Sequence, residues 1–173
     1  MNKYKIRKNK NKGFSLIELL LYIALASVIL IAVSYFIIMV LQARVKNQTI
    51  NEVTSQGISA MQMIRQTIKN AESINNPAKG SSASSASIDV YTQANDPTVF
   101  DVSNGALRIK EGSADAINLT NARVTVSDLS FTNVSKTERL KSIKIQFTVT
   151  HINPANKNEY NYHETFYETI NIK

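Results

Sequence analysis

Residues 19–41 read LLLYIALASVILIAVSYFIIMVL, 23 positions without a charge, a glycine or a proline. A helix rises ~1.5 Å per residue, so such a run reaches across the ~30 Å hydrocarbon core of a bilayer with some tilt. A helix that is apolar on every side has no polar face to offer water. Burial inside a globular domain is the competing explanation, but uninterrupted apolar runs of this length point to a membrane span. In a chain of 173 residues, a span leaves room for one further domain of modest size.

The flanks orient the span. Lys3, Lys5, Arg7, Lys8, Lys10 and Lys12 precede it with no acidic residue among the first thirteen, whereas Arg44 and Lys46 follow it. Basic residues are retained on the cytoplasmic side, so the N-terminus is expected in the cytoplasm and the chain beyond residue 42 outside it. This tract also accounts for the net charge of +7, because the remainder holds 14 basic against 13 acidic residues. No basic face remains to propose for a nucleic acid. A cleaved secretory signal is a second possibility, since Ala24-Leu25-Ala26 is a small-x-small pattern. Cleavage there would leave SVILIAVSYFIIMVL, still apolar, and would place the charged Glu18 inside the signal's hydrophobic region.

Glu18 needs a reason. Inside a spanning helix a carboxylate costs roughly 2.5–3.5 kcal/mol at the centre and less near an end, and such groups usually have a partner. Alone, it could lie in the headgroup region and stabilise the positive end of the helix. Its neighbours point further. The run Lys12-Gly13-Phe14-Ser15-Leu16-Ile17-Glu18, after a short Lys-rich leader and before a long apolar helix, resembles the N-terminus of type IV prepilins and type II secretion pseudopilins. At motif level the resemblance covers residues 1 to about 41, and the plan of helix followed by β-domain extends it along the chain.

The resemblance implies that Gly13 ends a leader removed by a prepilin peptidase, that Phe14 becomes the new N-terminus and is N-methylated, and that Glu18 serves filament assembly. The physics agrees with these roles. A Lys tract holds the scissile bond against anionic lipid, and Gly13 leaves the backbone there unobstructed. The cut creates an α-amine with a reference pKa of about 8, a cation at neutral pH that can pair with a carboxylate. Methylation keeps that charge. Phe14 and Glu18 are four residues apart and could meet within one helix; the family implies instead that the amine of an incoming subunit meets Glu18 of its neighbour. Relatives often carry a proline about one-third of the way along the apolar helix, where this chain has Val33, Ser34 and Tyr35.

Past Leu41 the composition turns polar but the helical period persists. Ile50, Val53, Gly57, Met61, Ile64, Ile68, Ala71 and Ile74 follow at steps of three and four, one face of an amphipathic helix. Asn75-Asn76-Pro77 is an end signal. One helix from Phe14 to about Ser73, ~90 Å long, is expected, its second part packed on a sheet rather than zipped as a coiled coil, which Gly57 would weaken. Residues 78–87, AKGSSASSAS, read as a flexible connection.

Beyond it the period becomes two. In VFDVSNGALRIK, residues 99–110, Asn104-Gly105 is a hairpin turn that pairs Val102 with Leu107, Phe100 with Ile109, and Asp101 with Arg108. Strands are expected at 123–131, 142–152 and 160–172, with a bulge or turn near Ser127-Asp128 where the alternation slips. In the last of these, Tyr160, Tyr162, Phe166, Ile170 and Ile172 are expected to share a face. The fold class is α+β and pilin-like: a leader over 1–13, a transmembrane and assembly helix over 14–41, an amphipathic helix over 42–75, a linker over 76–87, and an antiparallel sheet of five to seven short strands over 88–173.

Little in this domain looks catalytic. The chain has no cysteine, which removes disulfides and thiolate chemistry. His151 and His163 lack a second ligand at metal spacing, and Asp89, Asp96, Asp101 and Asp115 lack a calcium-loop pattern. The cluster Tyr160, Tyr162, Phe166 and Tyr167 could stack bases, but no basic residues are interleaved with it. No phosphate loop, serine-nucleophile or zinc signature occurs. No catalytic residue, metal or cofactor is expected.

The chain reads as the substrate of an enzyme, not an enzyme. What the resemblance implies is a structural subunit, a minor pilin or pseudopilin, of a type IV pilus or a type II secretion system for protein secretion. It would sit once through the bacterial or archaeal-like inner membrane with its C-terminal domain outside, until an inner-membrane assembly platform lifts it from the lipid bilayer into a filament with other subunits. Many major pilins close a C-terminal loop with a disulfide, which a chain without cysteine cannot do. Two alternatives are an unprocessed single-span anchor presenting a β-domain for binding, and a subunit of a competence pseudopilus.

Overall fold

The computed structural model describes residues 13–137 and 140–172. Its elements are helix α1 (Leu16–Lys69) and strands β1 (Ala71–Asn76), β2 (Ser82–Ala83), β3 (Ala86–Val90), β4 (Thr98–Ser103), β5 (Ala106–Glu111), β6 (Ile117–Asn118), β7 (Val124–Asn133), β8 (Ser142–His151) and β9 (His163–Asn171), with single 3₁₀ turns at Gln93–Asn95 and Asn158–Tyr160. The chain divides into two compact units, residues 1–42 and 43–173.

Within the first unit, the described chain is the beginning of α1, exposed from end to end. Among the described residues α1 is the one helix long and apolar enough to cross a membrane. Two of its serines bond back to the helix: Ser27 Oγ donates to the Ala24 carbonyl and Ser34 Oγ to the Leu30 carbonyl, each at 2.8 Å.

In the second unit, α1 lays Thr49, Val53, Gly57, Ala60, Met61, Ile64 and Ile68 against antiparallel sheets, a pilin-like α+β arrangement. The helix stops at Lys69, earlier than its apolar stripe predicts, and residues 71–76 form a strand. Ala71 is buried and Ile74 packs against the core despite their three-residue spacing. Register shifts in the β1–β3 ladder, between Ala71 and Ser73 and again between Ile74 and Asn76, turn both inward. A bulged strand thus imitates the helical spacing.

The expected single sheet is two. One has strand order β1-β3-β4-β5-β6 and the other β2-β7-β8-β9. The segment read as a free connection is paired: Ser82 and Ala83 lie opposite Thr132 and Phe131, the Ser82 and Thr132 hydroxyls are 2.8 Å apart, and buried Asn133 donates to the Pro77 carbonyl at 2.9 Å. Its small residues permit this close approach, with Ala86 fully buried at the start of β3.

The hairpin register is as expected, Phe100 opposite Ile109, Asp101 opposite Arg108 and Val102 opposite Leu107. Asn104 and Gly105 both take positive φ, 50° and 74°, as a two-residue hairpin turn of this kind requires. The guanidinium of Arg108 grips Asp101 with two bonds, Nε–Oδ1 at 2.9 Å and Nη2–Oδ2 at 2.7 Å. In β7 the ladder slips between Ser127 and Ser130, with Asp128 at φ 54°. Phe100 of β4 and Phe131 of β7 are both buried, with ring centroids 6.3 Å apart, so each sheet contributes an aromatic ring to one core.

Strand β9 begins at His163, which leaves Tyr160 in the preceding 3₁₀ turn rather than on the expected strand face. Phe166 and Ile170 do turn to the core, and Tyr167 is exposed. The same inward face also carries Glu164 and Glu168. They are matched from the helix: Thr54 Oγ1 donates to Glu164 Oε2 at 2.7 Å, and Arg65 Nε lies 2.7 Å from Glu168 Oε1.

Candidate processing and assembly site

The N-terminal residues meet at the start of α1. Gly13, Phe14 and Ser15 are not helical, and the helix begins at Leu16. Ser15 is its cap. Ser15 Oγ accepts a hydrogen bond from the Glu18 backbone N–H at 3.3 Å, and the Ser15 carbonyl accepts one from the Leu19 N–H at 3.2 Å. The helix thus opens two residues later than the expected start at Phe14. Ser-x-x-Glu is a capping-box sequence, and the spacing from Ser15 to Glu18 is the signal that places the boundary.

Glu18 occupies the first turn, where a negative charge complements the positive end of the helix. Its carboxylate does not return to the Ser15 N–H, the second half of a closed capping box. Its hydrogen bond comes from Tyr22, whose hydroxyl donates to Glu18 Oε1 at 3.5 Å, a long contact. Phe14 and Tyr22 have ring centroids 5.7 Å apart and tilted by 58°. Tyr22 thus touches both the Phe14 ring and the Glu18 carboxylate from one turn further along the helix. A Cβ built on Gly13 meets nothing within 4 Å, so the peptide bond after it is unobstructed by the described residues.

Residues 8–34 match the sequence family described as the prokaryotic N-terminal methylation motif. The chain therefore carries a prepilin-type N-terminal motif, which supports a place among type IV pilins and pseudopilins. No curated protein and no solved structure matches it. A prepilin-type motif marks a precursor of a structural subunit, one processed by a prepilin peptidase and assembled with other subunits. With the apolar helix that follows, it fits a membrane-anchored pilin.

The β-domain of this prepilin-type chain carries both of its histidines. His151 stacks on Tyr160, centroids 5.6 Å apart and planes 19° from parallel, and its Nδ1 is buried without a partner among the described residues. His163 lies apart, on β9 opposite Thr150. His151 and Tyr160 border an open cleft of about 830 Å³ that is lined from the helix by Gln48, Glu52 and Gln56 and closed on one side by Arg123.

The four aspartates separate. Asp101 is taken by Arg108, Asp115 is exposed, and Asp89 and Asp96 come together beside β1. Hydrogen bonds from Ser73 and then Asn75 hold the Asp89 carboxyl below its usual range. Among the described residues no three His, Asp or Glu side chains group as metal ligands. The aromatic cluster is dispersed as well. Tyr162 lies beneath Lys46, Phe166 stacks on Phe147, and only Tyr167 faces outward.

Proposed function

We propose that this chain is a minor pilin or pseudopilin. It is inserted as a single-pass precursor with its N-terminus in the cytoplasm and its β-domain outside, then cut between Gly13 and Phe14 and N-methylated on Phe14. An assembly platform then lifts it from the bilayer into a filament of a type IV pilus or a type II secretion system. The observation that carries this reading is the motif over residues 8–34 in register with the helix start: a non-helical Gly13-Phe14 pair directly before a long exposed apolar helix with Glu18 in its first turn. The absence of cysteine from the whole chain supports a minor subunit over a disulfide-closed major pilin.

Glu18 is the assembly residue in this reading. The cut leaves an ammonium on Phe14, and the carboxylate of a neighbouring subunit neutralises it in the low-dielectric interior of the filament. Each subunit supplies one amine and one acid, so the pairing repeats along the filament and sets an axial step.

Co-expression of the full chain with a prepilin peptidase tests the processing step. The chain shortens by its leader when the peptidase is active, and Gly13→Val prevents the change. A chain that keeps its full length with an active peptidase contradicts the reading.

A further inference from the structure

In the structure the helix starts two residues after the Gly13–Phe14 bond, and a single hydroxyl defines that start. We propose that Ser15 is a positioning residue for the cleavage, an inference that rests on Gly13–Phe14 being the bond that is cut. As the N-cap, Ser15 fixes the first helical residue at Leu16 and holds Gly13, Phe14 and itself outside the helix. The bond is thereby kept outside the helix.

The physical case has three parts. A helical peptide bond has its neighbouring backbone groups engaged in the helix ladder and must be unwound before a peptidase can reach its carbonyl. A residue with no capping side chain lets a helix run on, and alanine at position 15 would favour that extension through Phe14. The first N–H groups of a helix have no partner within the helix, and the Ser15 Oγ satisfies that of Glu18 at 3.3 Å.

The half-open capping box adds to this. In a closed box the acid returns to the N–H of the cap. Among the described residues Ser15 caps the helix alone, and the Glu18 carboxylate is engaged by the long contact from Tyr22. The hydroxyl therefore keeps the scissile bond out of the helix, and the cap is made without the Glu18 carboxylate. Hydrolysis consumes one water, leaves a carboxylate on Gly13 of the leader, and leaves the α-amine on Phe14 ahead of the helix.

The test is the initial rate of cleavage of the full chain in membranes by a prepilin peptidase, for Ser15 and a substitution series. N-cap preferences run Asn, Asp and Ser first, Thr and Gly close behind, and Ala and Val far below. Cleavage is expected to follow that order: Ser15→Asn at the wild-type rate, Ser15→Gly within about twofold, and Ser15→Ala slower by about fivefold, the equilibrium weight of one N-cap. Membrane insertion is expected to be equal throughout.

Gly separates the two ways Ser15 could act, since it lacks the hydroxyl yet tolerates the cap conformation. If Ser15→Ala is cut at the wild-type rate, or if Ser15→Gly is as slow as Ser15→Ala, the positioning role is overturned. If the wild-type chain itself is not cut at Gly13–Phe14, both this inference and the reading beneath it fall.

Discussion

The ring of Phe166 fills the space that a side chain would need at Gly57: a Cβ added to that glycine would lie 2.1 Å from the ring. Phe166 in turn stacks on Phe147, centroids 5.6 Å apart. Gly57 sits mid-helix, where glycine costs ~1 kcal/mol relative to alanine. That cost is offset because its missing side chain lets the ring lie against the helix backbone.

Gly57→Ala should therefore destabilise the β-domain despite the better helix propensity. Overpacking costs typically ~1–3 kcal/mol, and the geometry puts this site in the upper part of that range. Thermal unfolding of the full chain in detergent reads the shift. Adding Phe166→Leu to Gly57→Ala should recover part of the loss, since a smaller side chain removes the clash.

Asp101 and Arg108 are paired across the hairpin with both side chains about one-third exposed, so solvent screens the pair. Arg108→Ala is expected to leave stability almost unchanged, whereas Phe100→Ala on the buried face of the same hairpin should cost ~3–5 kcal/mol. Urea unfolding of the two variants in parallel measures the contrast. Equal losses would show that the charge pair, rather than the core ring, holds the hairpin.

Ser73 and Asn75 hydrogen bonds depress the Asp89 carboxyl. A depressed carboxyl stabilises the folded chain above its unfolded value near 4, and that contribution is lost as pH falls through the lower, folded value. Asp89→Asn should thus be slightly less stable at pH 7, by ~1 kcal/mol or less given its exposure. The difference should close on acidification below about pH 4. Stability profiles of the two proteins from pH 2 to 7 test this, and a gap that widens in acid would be the wrong sign.

Glu18→Ala should leave insertion and cleavage intact yet reduce incorporation into filaments. Loss of one charge-assisted contact, ~1.5–3 kcal/mol, corresponds to about tenfold or more at each addition step. Sheared filament fractions compared with the membrane pool measure it. Normal incorporation would remove Glu18 from assembly.

The parts of this molecule that were legible in its residues are those set by local chemistry. Asn104-Gly105 pairs the hairpin because only positive φ at both residues closes a two-residue turn with the right twist. The slip between Val126 and Leu129 announces the bulge at Asp128, since a strand can shift faces only by an extra residue. The helix start was equally available, through Ser15 and Glu18 as a capping box, although the apolar run draws attention past it.

What was illegible is non-local. Ala71 and Ile74 continue the helical spacing, and their strand state depends on pairing with β3. Ser82–Ala83 is too short to carry a period, and the partition into two sheets is decided by partners far along the chain. Glu164 and Glu168 break the expected apolar face because Thr54 and Arg65 stand opposite them on the helix, which no periodicity reveals.

The most direct measurement is the intact mass and N-terminal sequence of the protein isolated from its native membrane or filament. The predicted result is a chain of residues 14–173 with one added methyl group on the Phe14 amine. A chain that still begins at Met1, or one that begins at Ser27 after a secretory cut, would contradict it.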